Sequence, residues 1–190
     1  MPASSSDGAA STPPSTTPST PVTPRPASAT VMARERLEGG IEVFMVRRHV
    51  QSEFVPDVYV FPGGSVSVAD REAERTPGLC APAGEGPMAL GSGFRAAAIR
   101  ELFEEAGALV ARRDGEPLHV TEADLPRLAT LRDALNARTA TLLEVAQREA
   151  VTLATDTLLH WAHWITPEAW PKRFDTHFFL VEAPEGQEPA

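Results

Sequence analysis

Residues 93–107 constrain this chain most. Ile99, Leu102, Phe103, Ala106 and then Leu109 follow the i, i+3, i+4, i+7 spacing of a helix face turned toward a core. Gly107 is the kind of residue that ends such a helix, and Ser92 stands where an N-cap hydroxyl would start it. Together they predict a helix over residues 93–106. Glu101, Glu104 and Glu105 sit at i, i+3 and i+4, so three carboxylates share one patch on another side of that helix. Like charges at this spacing cost a helix about 0.2–0.5 kcal/mol per pair. Arg100 reaches Glu104 at i, i+4 but not all three acids, which leaves them without an obvious internal partner. A hard cation would reverse the sign of the repulsion, because Mg²⁺ takes oxygen ligands and combines one or two carboxylates with waters and substrate phosphates. The plain alternative is a solvated acidic face, which is common on surface helices.

The flanking sequence predicts an α/β chain. Residues 1–28 are almost entirely Ser, Thr, Pro and Ala, with Asp7 and Arg25 as their only side-chain charges. Such a segment buries too little apolar surface to offset its ordering entropy and is expected to be a disordered tail, with the folded domain over 29–190. Strands are expected at Thr30–Arg34 and Ile41–Arg48, joined through Leu37-Glu38-Gly39-Gly40 as a hairpin. A short extended piece over Phe54–Phe61 ends at Phe61-Pro62-Gly63-Gly64, where proline and paired glycines force a turn. Residues 65–91 look irregular, and Thr76–Gly91, rich in Gly, Pro and Ala, looks inserted. Two helices are expected within Glu122–Ala154, and strands at Leu158–Ile165 and Phe174–Glu182.

The composition excludes several classes. A hydrophobic content of 42% over 190 residues supports one ordinary core, and no apolar run spans a bilayer. A net charge of −9 argues against a general nucleic-acid binder, though not against a phosphate-bearing substrate met by a metal or local arginines. Cys80, the single cysteine, excludes an internal disulfide framework, and with no secretory signal a reducing, cytoplasmic setting is the simplest expectation.

The run Arg100-Glu101-Leu102-Phe103-Glu104-Glu105-Ala106-Gly107-Ala108, with Gly64 upstream, resembles the box of the Nudix hydrolases, whose second half is R-E-U-x-E-E-x-G-U with U apolar. In the usual box the opening glycine precedes the arginine by 14 positions; here Gly64 precedes Arg100 by 36. Counted back from Arg100, the box glutamate that precedes the helix falls at Ser92, so that carboxylate is expected to be absent. An insertion of this kind is similar to the Nudix branch that includes the peroxisomal acyl-CoA diphosphatases. Arg47-Arg48-His49, Phe54, Trp164-Ile165-Thr166-Pro167 and Arg173-Phe174-Asp175-Thr176 match that branch too, so the resemblance covers roughly residues 29–182.

The resemblance implies an α/β/α sandwich around a mixed sheet, with an added helical segment. It also implies that the chain stops short of the family's further strand and C-terminal helix. The implied activity is Mg²⁺- or Mn²⁺-dependent hydrolysis of the diphosphate in a nucleoside diphosphate linked to another group, with CoA or acyl-CoA favoured. ADP-ribose, dinucleotides and nucleoside triphosphates are alternatives, as is a Nudix-like binding module or inactive fragment. Glu101, Glu104 and Glu105, with the Gly64 carbonyl, would hold the metal. Glu104 and Glu105 would act in catalysis, with Arg100 locking the glutamates. Arg47, Arg48 and Arg173 are candidate phosphate contacts, although solvated charges are the more frequent explanation. The partner expected is a small-molecule diphosphate, with no nucleic acid and no membrane; oligomeric state stays open.

Two other features are weaker. His160 and His163 form H-x-x-H, but i and i+3 in a strand point to opposite faces, so convergence on a metal is not expected and no third ligand stands out. Cys80 has no implied base and is expected to be inert.

Overall fold

The computed structural model describes residues 22–47, 58–83 and 91–188. The elements in chain order are strands β1 (Arg25–Glu35), β2 (Ile41–Val43), β3 (Val46–Arg47), β4 (Tyr59–Val60) and β5 (Gly63–Ser65), then helices α1 (Val68–Arg75) and α2 (Phe94–Ala106). There follow β6 (Ala111–Arg113), β7 (Glu116–Pro117), α3 (Leu125–Asn136), α4 (Leu142–Glu149), β8 (Thr152–Leu153), a 3₁₀ turn at Thr155–Thr157, β9 (Leu159–Ile165) and β10 (Phe174–Glu182). The main sheet runs β2-β1-β10-β9, with β5 beside the first half of β1. β1 and β10 are parallel and the remaining pairs antiparallel, so the chain is a mixed α/β fold with a mixed sheet.

Small residues let α2 sit close to the sheet. Ala96, Ala97, Ala98, Ile99, Leu102, Phe103 and Ala106 of α2 are all fully buried. The buried hydroxyls of Ser28 and Thr30 on β1 donate to the carbonyls of Phe94 and Ala98 at 2.6 and 3.1 Å, which satisfies them in the interior. α1 and α3 pack on α2, and α4 packs on α1. Met32, Phe179 and Val181 complete the core from the sheet. Among the described residues, no helix is long and apolar enough to cross a membrane.

Several expectations from sequence are corrected. β1 begins at Arg25 rather than Thr30, because residues 25–28 pair with Phe174–His177 of β10. The hairpin turn at Gly39 and Gly40 forms as expected, but the second strand breaks after Val43. There the Phe44 N–H turns to the Met32 carbonyl (3.0 Å) and its ring packs on the core. Residues 48–57, with Arg48 and Phe54, lie outside the described residues, as does 1–21 of the expected tail. Residues 65–91 are not all irregular: α1 stands on a capping box in which Ser67 Oγ accepts from Asp70 N–H and Asp70 Oδ2 accepts from Ser67 N–H. Ser92 is not the N-cap of α2; Gly93 is, and its side-chain cap comes from another helix.

In β9 the register slips by one residue between Phe178 and Phe179 of β10: Ala162 pairs with Phe178, but His160 pairs with Phe179, which leaves Trp161 bulged. Because the bulge inserts one residue, His160 and His163 both face the side of the sheet occupied by His177 and Phe179. The expectation that they diverge is therefore overturned.

Candidate active site

The carboxylate patch of α2 is built against β5. The Gly63 N–H donates to Glu105 Oε2 at 3.0 Å. A Cβ on Gly64 would stand 2.1 Å from Glu101 Oε1, so only glycine lets the strand lie against that carboxylate. Gly63 is needed for a different reason: its Cβ would meet the backbone carbonyl of Ser28 at 2.5 Å.

Arg100 is the hub of the cluster. Its Nη1 donates to Glu101 Oε1 (2.8 Å) and Glu104 Oε2 (2.9 Å), and its Nη2 to the Ser65 carbonyl (3.0 Å). The acids therefore do have internal partners, Arg100 for two and the Gly63 amide for the third. The other edge of the guanidinium meets Asp70 in a bidentate pair at 2.9 and 3.1 Å. The spacing from Arg100 hides Asp70, whereas the spacing from Gly64 reveals it. If an unbroken box places the acid at the Ser92 position relative to Arg100, it places it six residues after the glycine, and six residues after Gly64 is Asp70. Asp70 therefore stands at the box spacing from Gly64 and pairs with Arg100, with Thr76–Gly91 beyond it.

Glu74 closes the insertion. Its Oε2 accepts from the Gly91 and Gly93 amides at 2.6 and 2.7 Å, and its Oε1 from the Arg95 and Ala96 amides at 2.8 and 3.0 Å. A buried carboxylate on α1 thereby caps α2, adding negative charge at the positive end of its dipole. At the other end, Arg132 donates to the Glu104 and Glu105 carbonyls (2.8 and 2.9 Å), and Gly107 adopts the left-handed conformation.

Burial dominates the electrostatics of the cluster. Burial, reinforced by Glu104 and Glu105 and opposed by Arg100, raises Glu101 to about 7. Burial likewise raises Glu104. Burial would lower Arg100, but Asp70, Glu101 and Glu104 outweigh it and hold the guanidinium above its ordinary range. The donor set is all oxygen, buried and crowded, which fits a hard divalent cation.

Across β5 lies a pocket of about 480 Å³, lined by Ala27, Ala29, Met45, Tyr59, Phe61, Phe174, Thr176 and Phe178, with Gly63–Ser65 as one wall. One strand separates this apolar space from the carboxylates. Arg47 pairs with the pocket residue Tyr59 across the β3–β4 ladder. Arg173 precedes Phe174 but donates to the carbonyls of Thr166 (2.9 Å) and Val22 (2.7 Å). Burial, with the Glu74 charge, pushes the Cys80 thiol up to about 12, too high for a thiolate nucleophile at neutral pH.

The profile of the NUDT19 Nudix domain family matches residues 81–188, more than half of the chain. The chain belongs to the Nudix hydrolases. This Nudix chain is 32% identical over 139 residues to nudix hydrolase 7 of Caenorhabditis elegans, covering 73% of the chain and 39% of that protein. It is 30% identical over 195 residues to the human acyl-coenzyme A diphosphatase NUDT19, covering 82% of the chain and 52% of the human protein. It therefore spans about half or less of the length of these relatives. Its structure is similar to that of a NUDIX hydrolase from Alicyclobacillus acidocaldarius, with a TM-score of 0.65, 26% identity, and coverage of 88% of this chain and 76% of that one. The mixed sheet and the box helix of this Nudix hydrolase accord with that likeness.

Proposed function

We propose that this Nudix hydrolase cleaves the diphosphate of a nucleoside diphosphate carrying an apolar arm, with CoA or an acyl-CoA as the favoured substrate. The observation that carries the reading is the placement of an apolar pocket and a carboxylate cluster on the two sides of β5. The diphosphate would lie along Gly63–Ser65 and the non-nucleoside arm among Phe61, Phe174 and Phe178. The relatives named as acyl-coenzyme A diphosphatases support the same choice.

Glu101, Glu104, Glu105 and the Gly64 carbonyl would hold Mg²⁺ or Mn²⁺, and the fit rests on the glycine cradle and on the crowded, buried acids. When bound, the ion supplies charge neutralisation at the diphosphate and an activated water. Arg100, fixed by Asp70, holds the Glu101 and Glu104 carboxylates in place. The Gly63 amide orients Glu105, and Glu104 positions the attacking water.

Product analysis on CoA, acyl-CoA, ADP-ribose, NADH and nucleoside triphosphates, with Mg²⁺ and then with EDTA, tests the proposal. The expected result is Mg²⁺-dependent release of 3′,5′-ADP and a phosphopantetheine product, abolished in a folded Glu104→Gln variant. Full activity of that variant removes the role given to Glu104, and cleavage of ADP-ribose or triphosphates in preference to CoA overturns the substrate assignment.

A further inference from the structure

A second group of metal-ligating side chains lies away from the carboxylate helix, on β9 and β10. His163 pairs across the ladder with His177, and Asp175 lies two residues before His177 on the same face. The His163 and His177 rings stack at 4.1 Å with planes 7° apart, His163 Nε2 contacts Asp175 Oδ1, and His177 Nε2 stands 3.8 Å from that same oxygen. One ligand atom from each of the three residues falls within 4.8 Å of the others. The bulge at Trp161 brings in a fourth side chain: His160 Nε2 lies 2.9 Å from His177 Nδ1.

We propose that His163, Asp175 and His177 form a binding site for a borderline divalent transition ion of the zinc class. Two imidazoles and one carboxylate are the donors such ions prefer, whereas Mg²⁺ takes all-oxygen sets such as that on α2. His160 is a positioning residue. In the tautomer where His177 Nδ1–H donates to His160 Nε2, that outer hydrogen bond fixes the imidazole and leaves the His177 Nε2 lone pair for the ion. A tetrahedral ion with bonds of about 2.0–2.1 Å sets its ligand atoms roughly 3.3 Å apart. His163 is 41% exposed on the edge strand, so its ring has open solvent on one side in which to adjust toward that spacing. Three protein ligands leave one position open to water, and the ion would tie β9 to β10.

Zinc titration of the chain in excess Mg²⁺ tests this, with calorimetry for stoichiometry and Co²⁺ absorption for ligand type. One Zn²⁺ per chain is expected, with a Co²⁺ visible spectrum of low coordination number and a raised Tm. The stoichiometry is expected to vanish in His163→Ala and Asp175→Asn and to survive in Glu104→Gln. His160→Ala is expected to weaken binding by about 10- to 100-fold while one site remains. Absence of zinc binding, unchanged stoichiometry in both ligand variants, or its loss in Glu104→Gln overturns the proposal. Because Glu104→Gln removes box chemistry alone, failure here and failure of the diphosphatase reading remain distinguishable.

Discussion

Replacing Glu74 by glutamine tests the idea that a carboxylate on α1 holds α2 in place. The side chain accepts four backbone amides, two on each oxygen. Glutamine keeps one accepting oxygen and turns an amide nitrogen toward the other two N–H groups. Two hydrogen bonds to a charged acceptor are lost, at about 1.5–3 kcal/mol each. Part returns where the Gly91 amide, at the more open end of the insertion, finds water. That leaves roughly 3 kcal/mol, a large share of the 5–15 kcal/mol typical of a domain. At about 2–4 °C per kcal/mol for a chain of this size, Tm is expected to fall by about 6–12 °C. Thermal melting by circular dichroism reads the change, and faster hydrogen exchange at the Arg95 and Ala96 amides would localise it. A shift under about 2 °C, or unchanged protection of those amides, refutes the cap.

Three further outcomes are expected. Gly63→Ala meets the Ser28 backbone and is expected to lower Tm sharply. Gly64→Ala meets only the movable end of Glu101, so the fold is kept while metal-dependent activity drops by about 10²-fold; equal Tm losses in the two would contradict this. Asp70→Asn breaks a buried ion pair with Arg100 and is expected to cost about 3 kcal/mol, at the low end for such pairs because Glu101 and Glu104 still hold Arg100; denaturant melting with no loss would sink it. Glu101 has a folded-state pKa of about 7, above its ordinary 4.5, so its contribution to metal-free stability is full below about pH 4.5 and is lost as pH rises through about 7. In EDTA, Glu101→Gln is therefore expected to melt above the wild type at pH 8 and level with it at pH 5, and a lower Tm at pH 8 would refute the assignment.

Local rules made much of this legible in sequence. The apolar face of α2, the glycine turns, and strands β9 and β10 all follow from short-range periodicity. α1 was hidden because its apolar pattern is thin, although Ser67-Val68-Ala69-Asp70 carries the spacing of a capping box. Asp70 needed a count from Gly64 instead of Arg100. Glu74 left no signal, since a cap supplied by one helix to another depends on tertiary placement. The convergence of His160, His163 and His177 hung on a single bulged residue, and alternation alone predicts the opposite facing.

The parallel pairing of β1 with β10 sets an order of assembly. Arg25 lies opposite Phe174 and Ala33 opposite Glu182, so the two central strands come from opposite ends of the described chain. On a ribosome β1 emerges with no neighbour on that side, and must wait through the synthesis of α1 to α4 before β10 arrives. The helix α2 meets β1 and β5 as well as α1 and α3, so it can settle on strands made before it while that edge of β1 still lacks β10. Folding of this chain is thus expected to be slow and late, with an apolar first strand, Ala27–Met32, in need of shelter until the sheet closes.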